Sequence, residues 1–183
     1  RGAAKLSLTG KLVEAAPLSG LHARNDFGKA LAKIVSTAAH GYNPPMPNDA
    51  PALSLLLIED QTLMRQGLRT LLDLEPGMHV AGEAADGANG VRLALELRPD
   101  VVLMDVQMPG LNGVEATAAL CAAWPAARVV ILTTFDRDDY VFQAIRAGAM
   151  GYLLKDAPAE ELLRTIRRVA AGIYDWLPLG LRT

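Results

Sequence analysis

Five polar side chains sit where apolar runs stop. Asp105 closes Val101-Val102-Leu103-Met104, with Pro109 and Gly110 just beyond it. Glu59 and Asp60 follow the run Leu53–Ile58, Thr133 follows Arg128–Leu132, and Lys155 follows Gly151–Leu154. A half-buried carboxylate at the end of an apolar strand needs a partner or a task, because desolvating it without compensation is costly. Three carboxylates gathered without a counter-ion repel one another and raise a pKa. A hard divalent cation relieves that repulsion, and carboxylate, carbonyl and water oxygens suit Mg2+. The chemistry that fits is phosphoryl transfer to a carboxylate nucleophile. Asp105 attacks phosphorus and becomes an acyl phosphate. Mg2+ and Lys155 offset the charge on the equatorial oxygens, and the Thr133 hydroxyl can donate to the same group. Singly, these residues read as a turn former, a cap and a surface lysine; it is their conjunction that points to a site.

Such a site requires elements that bring the tips together. From Leu53 the chain alternates apolar runs with segments of helical period. The expected strands are Leu53–Ile58, His79–Glu83, Val101–Met104, Arg128–Leu132 and Gly151–Leu154. The expected helices are Thr62–Leu74, Asn89–Leu97, Gly113–Ala123, Asp138–Ala147 and Ala159–Ala171. Repeated strand-then-helix units are the signature of a parallel sheet covered on both faces. Strands 1, 3, 4 and 5 lack polar alternation, as central strands do, whereas the second is short and mixed, as suits an edge. With right-handed crossovers, the natural result is an α/β fold: a doubly wound, five-stranded parallel sheet in the order 2-1-3-4-5. Its crevice opens at the strand C-termini beside strands 1 and 3, where the polar tips converge.

The rest of the 183-residue chain is less regular. Residues 1–52 read as an extension and linker, with a short amphipathic helix over Asp26–Ala39 and a breaker cluster from Gly41 to Pro51. Met46 is a candidate natural start, which would make residues 1–45 an upstream addition. Residues 173–183 form a tail. The composition is 51% hydrophobic and 21% charged with a net charge of −2, which supports a sizeable core and argues against a chain-wide nucleic-acid surface. Cys121 is the only cysteine, so an intramolecular disulfide and a cysteine-based metal site are both excluded, and a cytoplasmic setting fits. No apolar run approaches the ~18 residues of a membrane span, and no secretory signal is evident.

Four segments carry a resemblance: Ile58-Glu59-Asp60; Leu103 to Gly113, with Asp105-Val106-Gln107-Met108-Pro109-Gly110 at its heart; Val129 to Thr134; and Gly148 to Asp156. Together they make residues 53–172 resemble the receiver domain of two-component response regulators, the flavodoxin-like receiver fold. Asp156 after Lys155, the stretch Val80–Gly87 and the stretch Arg167–Gly172 are most similar to the LuxR/NarL-type branch. The resemblance implies that Asp105 is the phosphoacceptor and that Glu59, Asp60, Asp105 and the main-chain carbonyl of Gln107 hold Mg2+. It implies that Thr133 and Lys155 sense the phosphate and that Tyr152 reports it by rotating inward. It further implies a sensor histidine kinase as donor, homodimerisation on phosphorylation, and DNA binding only through an output domain. Tyr174–Thr183 is too short for that domain, so a truncated regulator is expected, with a stand-alone receiver as the alternative. A phosphatase with an aspartyl nucleophile is disfavoured, because the position two residues after Asp105 is Gln107 and not an acid. A nucleotide- or flavin-binding module is disfavoured because no glycine-rich loop follows strand 1.

The remaining polar residues have plainer readings. His22, His40 and His79 lack ligand spacing. Cys121 reads as a small buried hydrophobe. Asp136-Arg137-Asp138-Asp139 reads as the cap and first turn of the fourth helix. Arg164, Arg167 and Arg168 read as a solvated face of the fifth helix or one side of a charged dimer contact. Thr134 and the Gln107 side chain have two readings: groups at the crevice that affect hydrolysis of an acyl phosphate, or surface polar residues with no role there.

Overall fold

A computed structural model describes residues 7–8, 11–12, 51–134 and 138–175. The expected helix over Asp26–Ala39, the breaker cluster up to Ala50, His22, His40, Asp136 and Arg137 lie outside the described residues. In the N-terminal stretch, Ser7–Leu8 pairs antiparallel with Lys11–Leu12, a contact the sequence pattern did not suggest.

Five strand–helix units follow: β1 (Leu53–Ile58), α1 (Thr62–Leu74), β2 (Met78–Ala84), α2 (Gly87–Leu97), β3 (Val101–Asp105), α3 (Gly113–Ala123), β4 (Val129–Thr133), α4 (Asp138–Ala147), β5 (Gly151–Leu154) and α5 (Ala159–Ala170). The sheet order is β2-β1-β3-β4-β5, and every pairing is parallel. The element bounds differ from expectation by one or two residues at several ends. The most telling difference is at β3 and β4, which reach Asp105 and Thr133 themselves; Asp105 is paired with Leu132, and Thr133 with Leu154. The two polar tips are therefore held by the sheet rather than by loops.

The two-residue period of each strand sorts side chains between the faces. Leu55, Leu57, Val101, Leu103, Val130, Leu132 and Leu153 face one way and meet Leu68, Leu71 and Leu72 of α1 and Leu162, Ile166 and Val169 of α5. Leu56, Ile58, Val102, Met104, Val129, Ile131 and Tyr152 face the other way and meet Ala94 of α2, Ala116 and Leu120 of α3, and Val141 and Ala144 of α4. With both faces covered, β1, β3 and β4 carry almost no polar side chain until they reach their C-terminal tips. Burying each large apolar side chain contributes about 1.5–3 kcal/mol, which is why these runs are uninterrupted.

The two edges are built differently. β2 alternates buried and exposed residues, as its mixed composition predicts. β5 is also an edge strand, not a central one, yet Gly151, Tyr152 and Leu153 are buried. The chain after α5 supplies part of the reason. Asp175 bridges in parallel to Gly151, donating its N–H to the Met150 carbonyl at 2.9 Å and accepting from the Tyr152 N–H at 3.3 Å.

Candidate functional site

The polar tips meet at the C-terminal end of the sheet. One carboxylate oxygen each from Glu59, Asp60 and Asp105 lies within 4.8 Å of the others. Glu59 and Asp105 are fully buried, at 0% and 1% exposure, and Asp60 is half-buried. Lys155 reaches in from β5: its Nζ is 2.7 Å from Glu59 Oε2 and 2.9 Å from Asp105 Oδ2. The second oxygen of each acid is held by its own turn. Gln107 N–H donates to Asp105 Oδ1 at 3.1 Å, and Gln61 N–H donates to Glu59 Oε1 at 3.2 Å.

Asp60 differs from its neighbours. Its Oδ1 is buried and has no hydrogen-bond partner. An orphaned carboxylate oxygen of this kind is costly, and a hard cation is the ligand that would satisfy it. The donor set of carboxylate oxygens, with the Gln107 carbonyl on the adjoining loop, fits Mg2+ better than a soft metal. Electrostatics agree. Burial pushes the Glu59 carboxyl above its ordinary range; the Lys155 ammonium pulls it back, and the Asp105 charge raises it further. Burial likewise raises Asp105, opposed by Lys155 and by the Gln107 N–H and reinforced by Asp60. One ammonium does not fully offset three carboxylates at this depth.

Thr133 is completely buried at the tip of β4, and its carbonyl accepts the Lys155 N–H at 2.7 Å. The hydroxyl-bearing and amine-bearing residues are thus joined through the backbone as well as sharing the crevice. Tyr152 is 0% exposed and lies in the core cluster with Val106, Met108, Val141 and Ala144, so the ring is directed inward in this structure. Gln107 is exposed and lines a cavity of about 390 Å3 with Met108, Asn112 and Gln143. Thr134 is exposed.

The structure also gathers residues that the sequence reading did not single out. The N-terminus of α3 is seated on the backbone of the Asp105 tip, where a Cβ on Gly113 would lie 1.9 Å from the Asp105 carbonyl oxygen. Asn112 and Glu115 form a capping box that fixes this helix start. Arg65 of α1 donates to the Glu59 carbonyl at 2.7 Å. In the sequence Gly113 is only the last residue of a motif segment, and Arg65 an arginine at an unremarkable position. Of the other candidates, His79 is exposed on the β2 edge, and Cys121 is half-buried with Sγ 3.7 Å from the Gly148 carbonyl. Arg164 pairs with Glu161 at 3.6 Å, Arg167 with Glu75 and Arg168 with Asp175 at 3.4 Å, so all three α5 arginines are engaged within the chain and do not form a purely solvated face.

A parallel five-stranded sheet with an acid cluster, a lysine and a buried threonine at its C-terminal rim defines a class, and similarity to known proteins agrees with it. The response regulator receiver domain family matches residues 55–167, and the chain belongs to that family, in its LuxR/NarL-type branch. It is 49% identical over 120 residues to the uncharacterized transcriptional regulatory protein YxjL of Bacillus subtilis, covering 66% of this chain and 55% of that protein. A LuxR-family two-component response regulator from Aurantimonas sp. SI85-9A1 superposes with a TM-score of 0.67 at 35% identity, covering 69% of this chain and 91% of that one. The signal receiver domain of the NarL regulator of Mycobacterium tuberculosis superposes with a TM-score of 0.65 at 33% identity, covering 67% and 99%. The chain spans little more than half the length of the curated relatives it matches. Receiver domains in general bind Mg2+ and interact with histidine kinases. Among the described residues, no helix is long and apolar enough to cross a membrane.

Proposed function

We propose that Asp105 accepts a phosphoryl group from the phosphohistidine of a sensor histidine kinase and that this transfer switches the domain between two states. The observation that carries the proposal is the Asp105 carboxylate itself. It is buried and aimed into the crevice, with one oxygen held by Gln107 N–H and the other facing Lys155. The carboxylate forms a bond to phosphorus while the bond from phosphorus to the imidazole nitrogen breaks. The nitrogen keeps the electron pair and later takes a proton. Glu59, Asp60, Asp105 and the Gln107 carbonyl would hold Mg2+, which when bound offsets negative charge on the phosphoryl oxygens. Lys155 supplies a second positive charge at the same place, and the Thr133 hydroxyl donates to a phosphoryl oxygen. Burial of the pair keeps bulk water from competing for the acyl phosphate.

A new dianion on Asp105 draws Lys155 and Thr133 toward it, and their shared backbone hydrogen bond moves the tips of β4 and β5 together. Tyr152, three residues before Lys155, is then held in its inward position under α4. α4 exposes Phe142 at 60% and Ile145 at 42%, which suits self-association in the phosphorylated state. The relatives named as transcriptional regulators support a role in transcription, exerted through a DNA-binding output domain. A stand-alone receiver acting by protein contacts is the alternative; an aspartyl phosphatase is less favoured, since Gln107 offers an amide where that chemistry wants an acid.

The test is phosphorylation by acetyl phosphate with Mg2+, read by intact mass. The wild-type chain gains one phosphoryl group and loses it on incubation with EDTA-treated donor-free buffer only slowly; Asp105→Asn gains none. Unchanged labelling of Asp105→Asn overturns the assignment.

A further inference from the structure

We propose that Arg65 is a positioning residue of the acid site, holding the backbone of Glu59 and Asp60 so that their side chains are presented to the crevice. Arg65 is the fourth residue of α1, a helix whose N-cap, Gln61, makes no side-chain capping bond and whose first turn holds no acid. A cation there opposes the helix dipole, so its place needs another cause. That cause is visible in its contacts. Nη1 donates to the Glu59 carbonyl at 2.7 Å and approaches the Asp60 carbonyl at 3.5 Å. Nε pairs with Glu83 Oε2 of β2 at 3.3 Å. The side chain is largely covered, at 17% exposure. Glu83 is itself held by Arg69, which pairs with Asp73 at 3.2 Å; Asp73 Oδ1 in turn accepts the Val80 N–H at 2.8 Å.

These contacts form a brace from the edge strand to the acid loop. It matters because Asp60 cannot be fixed through its buried Oδ1, which has no partner. Its position is set through its main chain, and Arg65 is the side chain that grips that stretch of main chain. A planar guanidinium suits the task, since it reaches two carbonyls and a carboxylate at once, which an ammonium does with fewer donors. Supporting groups of this kind are typically worth about 10–100-fold in metal affinity when removed.

The inference rests on the reading of the acid cluster as a Mg2+ site, and its test separates the two. Mg2+ is titrated by calorimetry into the full chain without phosphodonor, for wild type, Arg65→Ala, Arg65→Lys and Glu83→Gln. The expected result is about ten-fold or greater weakening for Arg65→Ala, with partial recovery in Arg65→Lys and a smaller loss in Glu83→Gln. In acetyl phosphate labelling, the half-saturating Mg2+ rises by a similar factor while the rate at saturating Mg2+ stays near wild type, because Arg65 touches no reacting atom. Wild-type Mg2+ affinity in a folded Arg65→Ala overturns the proposal. If Arg65→Ala does not fold, wild-type affinity in both Arg65→Lys and Glu83→Gln overturns it. Absence of Mg2+ binding by the wild-type chain overturns the metal reading itself, and this proposal falls with it.

Discussion

The surroundings of Asp105 and Glu59 disfavour their charged forms. Burial raises both carboxyls above their ordinary values of 3.8 and 4.5, and Lys155 recovers only part of that. The folded state therefore holds these protons more tightly than the unfolded chain. In metal-free buffer their contribution to stability is fully present below the ordinary values and is lost as pH rises through the higher folded values. Asp105→Asn removes one such group and leaves Lys155 paired with Glu59, so the variant should be more stable than wild type near neutral pH by about 0.5–2 kcal/mol. Its stability should also fall less steeply as pH rises past the ordinary carboxyl values; denaturant melts across the pH range measure both. Mg2+ must compete with the same protons, so its half-saturating concentration should rise as pH falls toward the raised carboxyl values. A pH-independent Mg2+ titration would contradict the assignment of buried Glu59 and Asp105 to the ion.

The elements were legible where packing imposes a period and less so where a single atom decides. Leu55 to Ile58, Val101 to Met104 and Val129 to Leu132 announce buried parallel strands because both faces of the sheet are covered. The order of the strands followed from handedness, and the acid, hydroxyl and amine tips followed from where the apolar runs stop. β5 is apolar although the expected order makes it an edge; part of its cover comes from Asp175, whose partner could not be read from spacing. Gly113 is a similar case. Its need is not for positive φ but for a missing Cβ, since the Asp105 carbonyl oxygen occupies that space at 1.9 Å and is backbone that cannot swing aside. Gly113→Ala must push α3 away from the tip that carries Asp105. The expected cost is about 1–3 kcal/mol by denaturation, with slower labelling by acetyl phosphate at saturating Mg2+. Wild-type stability and rate together would mean that the contact relaxes without moving the tip.

At the scale of the whole domain, the crevice and the chain after α5 lie on one mechanical line. Lys155 and Thr133 share a backbone hydrogen bond at the tips of β5 and β4. Two residues into β5, the Tyr152 N–H donates to Asp175 at the opposite side of the strand. Asp175 is 1% exposed; its Oδ2 accepts from the Thr165 hydroxyl at 3.0 Å and faces Arg168 Nε at 3.4 Å. α5 and the segment that follows it are thereby clamped to the edge of the sheet nearest Tyr152. Asp175→Ala leaves the buried Thr165 hydroxyl and the Arg168 guanidinium short of a partner while keeping the backbone bridge to Gly151. The expected loss is about 1–3 kcal/mol. Thr165→Val in the Asp175→Ala background should cost less than in wild type, because the two side chains act as a pair. Hydrogen exchange at the Tyr152 amide gives the site-specific reading. It should quicken in Asp175→Ala more than at Leu103, whose strand is flanked on both sides; equal quickening at the two positions would assign the effect to global destabilisation and remove Asp175 as the clamp on β5.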